Sequence, residues 1–82
     1  MITGVEIPDA LIALERAAEE ARARMAGLDG AEYDAQWKAW RAASAAAQAA
    51  ITDHAKATRA NRYDVEQAVK HTVRHQAEDP AE

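Results

Sequence analysis

DGAEYDAQWKAWRAASAAAQAAITDHAKATRA, residues 29–60, decides the fold. It reads as one long helix to which the flanking segments are fitted. Asp29 can cap it, and Glu32 three residues on completes a capping-box pattern, with Leu28 and Tyr33 placed as a hydrophobic staple. Between Ala39 and Ala60, 11 of 22 residues are Ala, the strongest helix former. No Gly or Pro interrupts the chain from Ala31 until Pro80. The row Tyr33, Trp37, Trp40, Ser44, Ala47, Ile51, His54, Thr58 advances by alternating fours and threes, as a heptad seam does. Its large residues come first and its small ones follow, so the complementary surface must have the opposite gradient.

The segment before it supplies that gradient. A helix is predicted over 8–26, with Pro8 at a favoured first position. Its seam is Leu11, Leu14, Ala18, Ala21 and Met25, and Gly27 serves as a left-handed cap. The short loop around Leu28 forces an antiparallel hairpin with the 30–60 helix. Folding there sets Met25 against Tyr33, and Ala21 and Ala18 against Trp37 and Trp40. Leu14 and Leu11 then meet Ser44 and Ala47, and Ile7 approaches Ile51. Large faces small along the pair, as interdigitated packing requires.

The 30–60 helix outruns its partner, and its overhang needs a cover. A break is predicted near Ala60–Tyr63, then a third helix over 64–76 opened by the box Asp64-x-x-Gln67. Its apolar face is Val65, Ala68, Val69, Thr72 and Val73. Residues 1–7 are expected to form an arm lying on the bundle, and 78–82 a disordered acidic tail, leaving 1–77 as one helical domain. The fold class is all-α: a long hairpin plus a shorter third helix, completing a bundle as a dimer.

Composition explains the expectation of a second subunit. Ala supplies 23 of the apolar residues, while Leu, Ile, Val and Phe together number 11 of 82. A chain this small is marginal on surface-to-volume grounds, and with so few large apolar side chains its core must be thin. Ala39, Ala42, Ala43, Ala46, Ala49 and Ala50 form a smooth second strip on the long helix, the expected self-association surface for a homodimer. A second, unidentified protein partner is also expected.

The sequence holds no Cys and therefore no disulfide or thiolate chemistry. It has no Gly-rich phosphate loop, no nucleophile with a neighbouring base and no cofactor motif. Neither an enzyme nor a cofactor is expected. His71 and His75 are spaced four apart, as a pair of metal ligands would be. They lack the Glu of an HExxH pattern and lie near a helix C-terminus, where positive charge suits the dipole, so no metal site is expected. No apolar run is long enough to span a bilayer and no signal-peptide pattern opens the chain, so a cytoplasmic location without membrane attachment is expected.

Charge is unevenly distributed. Residues 1–34 carry eight acidic and three basic side chains, and residues 35–76 carry seven basic and three acidic. Lys56, Arg59, Arg62, Lys70 and Arg74 cluster around the second turn as candidate nucleic-acid contacts, since such a patch can neutralise phosphates. Accessory nucleic-acid binding is therefore the alternative to a protein-interaction role.

Overall fold

A computed structural model describes residues 7–78 of the chain. The expected arm, apart from Ile7, and the tail beyond Glu78 lie outside the described residues. Three helices follow in order: α1 Asp9–Ala23, α2 Gly30–Thr58 and α3 Arg62–Glu78. Among the described residues there is no strand, and no helix is long and apolar enough to cross a membrane.

Each helix ends for a local reason. Pro8 is extended (φ −64°, ψ 148°) and acts as N-cap of α1 instead of its first helical residue. Its carbonyl accepts from the amides of Leu11 and Ile12 at 3.1 and 3.4 Å. α1 stops at Ala23, three residues before the predicted end, because the chain tightens. The amides of Met25 and Ala26 reach back three residues to Arg22 and Ala23, at 3.1 and 3.2 Å, the 3₁₀ geometry common at helix ends. Gly27 (φ 85°) and Gly30 (φ 59°) bracket Leu28 and Asp29 in the left-handed region, which costs any other L-residue about 1–2 kcal/mol. The loop is thus reversed by two glycines.

Neither predicted capping box forms. Asp29 is the N-cap of α2 but makes no side-chain cap hydrogen bond. At α3 the cap is Asn61, whose Oδ1 accepts from the amide of Asp64 at 3.1 Å, so the helix begins two residues before the position read from sequence. The break before it, which no Gly or Pro enforces, is made by Arg59 in the left-handed conformation (φ 58°, ψ 33°). There the Ala60 amide donates to the Ala55 carbonyl at 2.9 Å, a wrap-around closure that satisfies the last carbonyls of α2. α3 also runs two residues further than read, to Glu78, a residue assigned to the tail.

The core gathers at one end of the hairpin. Leu11 and Ile12 of α1, Ile51 and Ala55 of α2, and Val65, Val69 and Val73 of α3 form one buried cluster, with Ile7, Ala50 and Ala60 packed against it. Ile51, Val65 and Val69 are fully buried, and each contributes roughly 1.5–3 kcal/mol by leaving water. The apolar face read for α3 is the face that packs: Val65, Val69 and Val73 are buried, and Ala68 and Thr72 half-buried.

The hairpin alignment agrees with the sequence reading, but α2 is rotated from it. Ala18, Ala21 and Leu11 of α1 and Ala47 of α2 are buried as expected. The Ala21 carbonyl accepts from Gln36 Nε2 at 2.9 Å, so Gln36 stands where Trp37 was expected. The buried residues of α2 are Ala47, Ile51 and Ala55, a row stepping by four. Such a row drifts away from a seam of alternating fours and threes. Followed towards the N-terminus, the contact shifts to Gln36 and Ala43, and Tyr33 and Trp37 turn outwards at 40% and 38% exposure.

Ala18 sits at 6% exposure where the two helices meet. Ala18→Leu is expected to overpack this layer and to lower stability by roughly 1–3 kcal/mol, read as a fall in the urea midpoint at unchanged slope. A midpoint equal to that of the wild type would mean that Ala18 faces solvent.

Candidate interaction surface

A chain of polar side chains fixes where α3 lies, and so which part of α2 stays open. Glu15 is 3% exposed. Lys70 Nζ donates to its Oε2 at 2.9 Å and stands 4.0 Å from Glu66 Oε2. Arg62 Nη1 pairs with Glu66 Oε1 at 2.8 Å, and Arg62 Nε donates to Thr52 Oγ1 at 2.9 Å. Arg62 Nη2 also donates to Gln48 Oε1, and Gln48 Nε2 donates to Glu66 Oε2 at 3.4 Å. One connected network therefore joins α1 through Glu15, α2 through Gln48 and Thr52, and α3 through Arg62, Glu66 and Lys70. It flanks the buried valines and sets the height at which α3 docks.

Two of the five candidate nucleic-acid cations belong to this network. Arg62 and Lys70 are half-buried and hold α3 in place, while Lys56, Arg59 and Arg74 are exposed. The rings of His71 and His75 stack at 6.2 Å with 13° between their planes. Among the described residues, no three His, Cys, Asp or Glu side chains come together as a metal site.

Beyond the network, towards its N-terminus, α2 carries an outward aromatic row of Tyr33, Trp37 and the half-buried Trp40. The Arg41 guanidinium lies over the Trp37 ring, 5.1 Å from its centre, which holds the indole against the helix by cation–π attraction. Next to it is a groove of 260 Å³ lined by Trp40, Arg41, Ser44, Ala45 and Gln48. Sequence reading assigned both Trp residues to the core. Trp37 is exposed and Trp40 half-buried, and no signal in the sequence distinguishes Gln36, which donates to the Ala21 carbonyl, from Trp37 as the residue facing the small side chains of α1.

The alanine strip divides. Ala39, Ala42, Ala46 and Ala49 are exposed, whereas Ala43 and Ala50 are half-buried, Ala50 against the core cluster. On a 3.6-residue helix, the strip lies on the side of α2 opposite the aromatic row. A further groove, 580 Å³, runs between α1 and α3 beside Arg16, Glu19, Glu20 and Val73. Comparison with protein-family models, with curated proteins and with solved structures finds no match.

Lys70→Met would leave the Glu15 carboxylate buried and unpaired. Breaking a fully buried pair costs about 3–5 kcal/mol. The Lys70 side chain is 34% exposed, so water screens part of this and a loss of about 2–3 kcal/mol is expected. Glu15→Leu combined with Lys70→Met should recover most of it. Chemical denaturation of both variants checks the pair, and equal destabilisation in the two would remove the ion pair from the account.

Proposed function

We propose that this chain is a small non-enzymatic assembly protein that acts by associating with itself and with other proteins through α2. The observation that carries this reading is the outward row of Tyr33, Trp37 and Trp40. Large aromatic side chains left half in water by a small domain mark interaction surfaces, and Trp and Tyr are enriched among residues that dominate binding energy.

Stability points the same way. Among the described residues ten apolar side chains are buried, and four of these are Ala. A domain of this size commonly gains the remainder from disulfides, metal or oligomerisation, and the chain has no cysteine. Homodimerisation is the proposed source. The expected strip at Ala39, Ala42, Ala43, Ala46, Ala49 and Ala50 offers a second contact face on the opposite side of α2, reduced by the partial burial of Ala43 and Ala50. The nucleic-acid alternative is weaker, because Arg62 and Lys70 hold α3 in place.

Sedimentation equilibrium tests the proposal. A dimer is expected at micromolar concentration, with a melting temperature that rises with concentration. Trp37→Ala should weaken the dimer by about thirtyfold, as loss of a central aromatic anchor does, while Ala46→Glu reports on the alanine strip. An 8.9 kDa monomer throughout the micromolar range would sink the reading.

A further inference from the structure

Resting on the self-association reading, we propose that two copies pair through the N-terminal halves of α2 in an antiparallel, two-fold arrangement, with Tyr33 of each seated in the groove of the other. Three observations converge. The row of exposed Tyr33 and Trp37 and half-buried Trp40 and Ser44 steps by four, three and four, the seam of a coiled coil. α1 and α3 leave Tyr33 and Trp37 exposed and cover Trp40 and Ser44 only in part. The row is also nearly symmetric about its middle. An antiparallel pairing that sets Trp37 against the partner's Trp40 also sets Tyr33 against the partner's Ser44. Each large side chain at the ends then meets a small one, and the two indoles of each copy form the centre.

The groove supplies the hole for the knob. Its lining includes Ser44, Ala45 and Gln48 beside Trp40 and Arg41, which are the residues around the point that Tyr33 of a second copy reaches. An apolar ring body with a phenolic tip suits a site of this composition: Trp40 and Ala45 contact the ring, and the hydroxyls and amide accept or donate at its edge.

Charge selects the direction. Asp34 and Arg41 are seven residues apart and flank the seam on one side. Among the described residues neither belongs to an ion pair. In the antiparallel arrangement the Asp34 of each copy lies opposite the partner's Arg41, twice by symmetry. A parallel arrangement carries the partner's Asp34 and the partner's Arg41 to the opposite flank of the seam and loses both attractions. Tyr33 would then meet Tyr33, and Ser44 would meet Ser44, leaving the ends of the row overfilled and underfilled. The interface is isologous and closes as a dimer.

The test uses the full chain in two single-cysteine versions, Tyr33→Cys and Ser44→Cys, mixed and mildly oxidised. The expected product is the mixed 33–44 disulfide, formed at least about tenfold faster than either homodimeric disulfide by proximity. A charge exchange accompanies it. Asp34→Arg and Arg41→Asp should each weaken the dimer by about three- to tenfold, the range of exposed charge contacts with repulsion added, and the double variant should regain wild-type affinity. These exposed substitutions leave the core cluster intact. A dimer that persists with a predominant 33–33 disulfide, or that gains nothing from the double exchange, overturns this arrangement while leaving self-association standing. A chain that stays monomeric overturns both.

Discussion

Glu15 is a carboxylate with almost no contact with water, and Lys70 is the group that makes its position tolerable. The attraction between them acts across the sequence, from the first helix to the last. It ties α3 to α1 at a point where valines alone would permit sliding. Apolar packing between smooth, β-branched faces has little directional preference, whereas an ion pair with a 2.9 Å contact has a single good geometry. The network that continues through Glu66 and Arg62 to Gln48 and Thr52 then fixes the approach of α3 to α2. Buried polar networks of this kind are high-stakes elements: satisfied, they define one arrangement; broken, they leave desolvated charge.

The helices themselves were legible because their signals are local. Alanine content, the absence of Gly and Pro, and the apolar spacing of 65, 69 and 73 each act within a few residues, and all three helices lie where these signals place them. Ends were less legible, because several side chains competed for each cap. Asn61 serves where Asp64 was expected, and Arg59 adopts a backbone that its side chain does not advertise. The roles of Glu15, Arg62 and Lys70 were hidden for a different reason. In sequence they look like ordinary surface charges, and only the docking of α3 brings them together. The alignment of α1 with α2 was readable from size matching, but the rotation of α2 was not, since a drift of a few tens of degrees separates a buried Trp37 from an outward one.

That rotation divides α2 into two unlike halves. From Ala47 onwards its contact row is satisfied within the chain, by Leu11, Ile12 and the valines. Before it, Tyr33 and Trp37 are exposed, and Arg41 lies over the Trp37 ring. Few large side chains are available, and they are spent unevenly: the aliphatic ones close the core and the aromatic ones lie on the surface.

Gln48 belongs to both halves. Its amide is held by Arg62 and Glu66, and the same side chain walls the groove beside Trp40. The shape of the groove therefore depends on whether α3 is closed onto the bundle. Thermodynamic linkage makes such a dependence mutual. Whatever settles against that wall favours the closed position of α3, and loosening α3 weakens what settles there. One amide side chain thus couples the docking of the short third helix to the shape of a groove on α2.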